Sequence, residues 1–184
     1  MPLKGPMLAL VVATVASVAA SAPDGGKEPG LASRPSTNPV WREVKWPFLV
    51  DQWGTGRAFQ CAAADCGAEL NVYVRPKIGF CNCTTGVSDD AELDRVGDVD
   101  LIGQRFAPLG DGRPITIGWV KGRSRAYSVE GRRSALAIAF NDRCDVVVAT
   151  VMAKSELPAA AEPIAVEFLN TQPMLRWVEV TLGL

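Results

Sequence analysis

The residues in this chain best suited to chemistry are its cysteines. Four of the five lie between Cys61 and Cys83, as Cys61-x4-Cys66 followed by Cys81-x-Cys83, and the fifth is Cys144. Cysteines in close pairs can form disulfides, hold a soft metal as thiolates, or exchange disulfides with another protein. Exchange is the least supported of the three, because the Cys-x-x-Cys at a helix N-terminus that lowers a thiol pKa is missing. Cys81 and Cys83 cannot readily bridge each other if they share a strand face, since such neighbours sit about 6 to 7 Å apart. The expectation is therefore two bridges joining Cys61 and Cys66 to Cys81 and Cys83. Cys61–Cys83 with Cys66–Cys81 suits an antiparallel pair of strands. Cys144 is expected to be a buried free thiol, or to pair with one member of the block and leave another reactive.

The alternative use of Cys61, Cys66, Cys81 and Cys83 is as four metal ligands, a tetrahedral thiolate set suited to zinc or Cu(I). The Cys81-Asn82-Cys83 pair resembles that of copper-delivery proteins of respiratory oxidase assembly, a likeness confined to the stretch Gly79 to Thr84. It implies a periplasmic copper-binding chaperone with Cys81 and Cys83 as ligands. Other chemistries are closed. The chain contains no histidine, which excludes Ser-His-Asp and Cys-His catalysis, imidazole metal sites and histidine pH switches. Asp98 and Asp100 could serve carboxylate chemistry, but spacing alone places no pair of acids at a cleft, and the favoured reading is non-catalytic.

An oxidising compartment is expected from the N-terminus. Lys4 precedes an uncharged apolar run from Met7 to Ala20 and small residues follow, the layout of a secretory signal over residues 1–20. The run falls short of the roughly 20 apolar residues of a membrane span. Cleavage after Ala20 is preferred to cleavage after Ala22, which would leave Pro23 next to the cut. Residues 21–40, rich in proline and glycine, are expected to be a flexible linker with too little apolar surface to order itself. Residues 41–184 then form a single globular domain, exported to a periplasm or secreted, without a transmembrane segment.

The elements that position the cysteines follow from periodicity. Ala58 to Cys61, Leu70 to Val74 and Ile78 to Cys83 read as strands, with Pro76 ending the second. A short acidic helix is expected from about Asp89 to Val96, capped by Ser88 and ended by Gly97. Its acids lack the alternation of a calcium loop and read as a solvated face. Strands over Ile115 to Val120 and Ser124 to Glu130 lead to Ala135–Phe140 and Val146–Val151, whose nearly continuous apolar runs predict the central hairpin of the sheet. A second helix is expected after Pro163 and a final strand over Leu175 to Leu182. The fold predicted is α+β, a mostly antiparallel sheet with two short helices and disulfide-stapled N-terminal strands. Trp41, Trp46, Phe48 and Trp53 are expected to close one end of the core rather than to form a ligand-stacking platform.

Charge divides the middle of the chain. Thr84 to Gly112 carries seven acids against Arg95 and Arg105, whereas Arg113 to Arg133 carries six bases against Glu130. Lys121, Arg123, Arg125, Arg132 and Arg133 form a candidate docking rim for an acidic protein partner, set against simple complementarity with the acidic stretch. The formal charge of -1 does not suggest nucleic acid. The function these residues imply is an exported, disulfide-stabilised, non-catalytic binding or accessory protein.

Overall fold

The computed structural model describes residues 39–130, 133–154 and 156–184. The expected signal, nearly all of the linker, and Arg132 of the basic rim lie outside the described residues. Among these residues eight strands make one open sheet: β1 (Trp41–Val44), β2 (Arg57–Cys61), β3 (Leu70–Lys77), β4 (Phe106–Pro108), β5 (Arg113–Ile117), β6 (Val120–Val129), β7 (Arg133–Asp142) and β8 (Asp145–Ala153). Their order is β1-β2-β3-β8-β7-β6-β4, with β5 also on β6, and every pairing is antiparallel. Four helices accompany the strands among the described residues: α1 (Ala63–Cys66), α2 (Asp90–Val96), α3 (Ala161–Leu169) and α4 (Gln172–Leu182). A 3-10 turn covers Val99–Leu101.

The β7–β8 hairpin is central, and strand alternation sends its side chains into two different layers. Leu136, Ile138 and Phe140 of β7 and Val147, Ala149 and Val151 of β8 face α3 and α4, meeting Phe168, Leu169, Met174 and Val178. Ala135, Ala137 and Ala139, with Val146 and Val148, face the other way, toward Leu93 and Val96 of α2. Large residues thus fill one layer. Small ones on the opposite face of β7 let α2 lie close. Asp89 begins α2, its carboxylate accepting from the Glu92 N–H at 2.8 Å. The cap is one residue later than the sequence suggested.

The expected fold needs correction in three places. Helices number four among the described residues, not two, and α4 occupies the segment read as the last strand. There, β-branched residues suggested period two, but Pro173 stands in the first turn and Met174, Val178 and Leu182 are buried four residues apart. Val180, which a strand would have buried with them, is 78% exposed; burial against the sheet therefore selected the helical period. Secondly, Ile78 to Cys83 is not a strand. Instead β3 itself continues through Pro76, which lies beyond the end of β2 and has only β8 beside it, a position proline can occupy in a sheet. Gly79, at φ 68°, then turns the chain away. Thirdly, the disulfides do not staple the N-terminal strands together.

Candidate functional site

The chemistry of the molecule concentrates on the α2 side of the sheet. Strand parity projects Tyr73, Arg75 and Lys77 of β3 toward that side. The long connection after β1 passes over it with Trp46, Phe48, Asp51 and Trp53, and the loop after β3 contributes Phe80. Between them is a cleft of about 330 Å³, walled by Trp53, Phe80 and Phe106 and by charged groups from β3, α2 and the 3-10 turn.

Its rear wall is a chain of four charges. Asp98 receives Arg75 on both oxygens, from Nε at 2.6 Å and Nη2 at 2.9 Å, and Lys77 Nζ lies 2.7 Å from its Oδ1. Lys77 also donates to the Val96 carbonyl at 2.7 Å, so the ammonium sits at the C-terminal end of α2, where the helix dipole favours a cation. On the outer edge of Arg75, Nη1 donates to both oxygens of Asp51 at 2.8 and 2.9 Å. The side chains of Arg75, Lys77 and Asp98 are 3%, 6% and 5% exposed, whereas that of Asp51 is 40% exposed. Three buried charges sum to +1, and the accessible Asp51 neutralises them.

Aromatic rings support this arrangement. The Arg75 guanidinium lies over Trp46 at 5.8 Å, and a side chain at Gly56 would strike Trp46, the Val74 carbonyl and Arg75. Glycine is required there for that close approach. Lys77 lies over Phe80 at 5.4 Å and Trp53 at 5.8 Å, and the two rings touch with centroids 4.5 Å apart. Burial opposes ionisation of Asp51, but the Trp53 N–H and the Arg75 guanidinium outweigh it and hold the carboxyl below the usual aspartate range. Burial likewise works against the charge of Arg75, and the Asp98 and Asp51 carboxylates more than restore it.

The cysteines take a different arrangement from the one expected. Cys61 pairs with Cys66, closing the short connection that contains α1, and Cys83 pairs with Cys144, tying the loop after β3 to the turn of the β7–β8 hairpin. The expected Cys61–Cys83 and Cys66–Cys81 bridges depended on a third strand that the chain does not form. Cys144 is bonded and Cys81 holds the free, buried thiol. Cys81 donates from its N–H to the Cys144 carbonyl at 3.0 Å and from Sγ to the Arg143 carbonyl at 3.1 Å. Desolvation, reinforced by Glu92 and Asp145, pushes the thiol up to about 11. The four residues proposed as a thiolate metal set are thus divided between two separate bridges and one protonated thiol. Among the described residues no cluster of three or more metal-ligating side chains occurs.

The basic rim is also divided. Arg123 pairs with Asp90, and Arg125 reaches Asp94 at 2.9 Å and the Gly110 carbonyl at 2.8 Å. Asp94 also accepts from the Tyr127 hydroxyl. Lys121 is exposed on the same strand, and Arg133 donates to the Glu130 carbonyl at 3.2 Å. The acids of α2 therefore face the arginines of β6 instead of forming a purely solvated surface. Asp98, considered for carboxylate chemistry, is buried in the cleft wall, and Asp100 lines the cleft mouth.

Sequence reasoning missed Arg75 and Lys77 because it ended the second strand at Pro76, and missed Asp51 because no local spacing ties the β1–β2 connection to β3. The available signal was the pattern Tyr73-x-Arg75-x-Lys77 continuing the alternation of an apolar strand. The aromatic group at the domain's start divides as well. Trp41 stacks on Phe168 of α3, while Trp46 and Phe48 pack with Tyr73 and Trp53 enters the cleft. Among the described residues no helix is long and apolar enough to cross a membrane. No protein-family model, curated protein or solved structure matches the chain.

Proposed function

We propose that this is an exported, disulfide-stabilised accessory protein that binds a small polar ligand in the Trp53–Phe80 cleft without transforming it. The observation that carries the reading is the closed Asp51–Arg75–Asp98–Lys77 chain. Every charged group on the rear wall is held by a partner, which suits recognition of a polar ligand better than proton transfer, where an acid or base must be free to change its charge. Two disulfides support export, since such bonds persist in oxidising compartments. The periplasm is the proposed destination.

Native mass spectrometry on protein recovered from the periplasm of an expressing bacterium tests this. The chain should begin at residue 21 or 23, release one thiol on denaturation, and take up a member of a mixed pool of polar metabolites. Trp53→Ala should abolish that uptake while the fold persists. Retention of residues 1–20 in the cytoplasm would sink the export reading, and uptake unchanged by Trp53→Ala would sink the cleft.

A further inference from the structure

We propose that the cleft selects a carboxylate, and that Asp51 occupies the carboxylate position in the free protein. This rests on the binding role proposed above and names the ligand class. Arg75, Lys77 and Asp98 are each at least nine-tenths buried and together carry one uncompensated positive charge. A buried net charge is costly unless paired. The partner it has is a carboxylate held side-on by Arg75 Nη1, with both oxygens within 2.9 Å.

That partner differs from the other three in being accessible. Asp51 sits in a tight turn closed by the Gly54 N–H on its carbonyl, and it follows Leu49 and Val50, which are 90% and 70% exposed. Between the anchored rings of Phe48 and Trp53 its segment has no buried apolar side chain, and its displacement would open the guanidinium edge to the cleft. A ligand carboxylate taking its place would restore neutrality to the Arg75–Lys77–Asp98 wall, with Asp94, Arg95 and Asp100 lining the rest of the cleft, and the body of the ligand would lie against Trp53 and Phe80. An amine placed there would instead add to the positive charge. Asp51 thus acts as an internal competitor, setting a threshold that a free carboxylate must exceed.

Calorimetric titration with benzoate, benzylamine and benzamide, matched in ring size and differing in charge, tests the assignment on the full domain. Asp51→Asn should bind benzoate at least tenfold more tightly than the wild type, and adding Lys77→Met should remove the gain. Neither protein should bind benzylamine. Benzoate affinity unchanged or lowered by Asp51→Asn would overturn the proposal. Binding of benzamide or benzylamine in preference to benzoate would also overturn it, while leaving the cleft as a binding site. No binding of any of the three to Asp51→Asn would overturn the carboxylate assignment, and the metabolite-uptake experiment would then decide the binding role separately. If Asp51→Asn does not fold, the Trp53 indole N–H resonance of the wild type gives the same answer. Benzoate should shift it, benzylamine should not, and no shift with benzoate counts against the proposal.

Discussion

The two faces of the sheet are held by opposite means. On the α3/α4 face, Leu136, Ile138, Phe140, Val147 and Val151 meet helices that bring apolar side chains in return. On the α2 face, small alanines leave room for a helix whose connection carries Asp98 into contact with two buried cations. The first face is non-directional: its stability scales with buried apolar area. The second is directional, since Arg75 and Lys77 are tolerated only while Asp98 faces them within the wall and a carboxylate, that of Asp51 or of a ligand, meets the outer edge of Arg75. A single β-strand supplies both, Val72 and Val74 to one side and Arg75 and Lys77 to the other.

The sharpest way to break this comparison is to remove Asp98. Asp98→Ala leaves two buried cations with one exposed partner and should cost about 5 kcal/mol, at the upper end for a broken buried pair, measured by chemical denaturation. Replacing all three charges together, as Arg75→Met, Lys77→Met and Asp98→Leu, should return stability to within about 1 to 2 kcal/mol of wild type. That recovery would show that the charges serve the cleft and not the fold. On the other face Phe140→Ala should cost about 4 kcal/mol through lost burial and a residual cavity.

Smaller effects separate the two disulfides. Cys83–Cys144 spans 61 residues and Cys61–Cys66 spans 5, so the chain-entropy account assigns them about 4 and about 2 kcal/mol respectively. Paired serine substitutions, compared by urea midpoint, should give the larger loss for Cys83 and Cys144. The last effect is confined to alkaline pH. Unfolded, Cys81 ionises near 8.5, while in the folded protein its thiol is pushed up to about 11. Between those values the unfolded chain holds fewer protons than the folded one, so stability declines as pH rises from about 8.5 and levels off near 11. Cys81→Ser should show less decline than wild type across that window in thermal melts. Equal slopes would place the Cys81 thiol outside the buried layer.

The sequence made the sheet's centre legible because Ala135–Phe140 and Val146–Val151 are apolar on both alternating faces, a pattern imposed directly by burial on two sides. The α2 helix was legible through its acidic first turn and its terminating glycine, although the cap is Asp89 and not Ser88. Residues 175–182 misled, since β-branched residues satisfy a strand locally and only the position of the sheet beneath makes Met174, Val178 and Leu182 the buried set. The cleft was nearly illegible. Its parts come from the β1–β2 connection, β3, and the segment after α2, and no local spacing joins Asp51 to Arg75 or Arg75 to Asp98. The cysteine pairing failed for a related reason: it assumed that Cys81 and Cys83 continued a strand, whereas Gly79 redirects them to the hairpin turn at Cys144.

Among the described residues the open sheet has two unpaired margins, and they bear on how the protein behaves in concentrated solution. One margin is β1, only four residues long and bearing Arg42 and Glu43. The other is shared end to end along β6 by β4 and β5, and each of those strands contains a proline, Pro108 and Pro114, that cannot donate to an incoming strand. Neither margin offers the long, flat run of free amide groups on which a second chain could extend the sheet. The apolar β7–β8 hairpin, the segment most prone to self-association, is kept in the middle of the sheet, away from both margins, and a colloidal liability in the sequence is thereby hidden by topology.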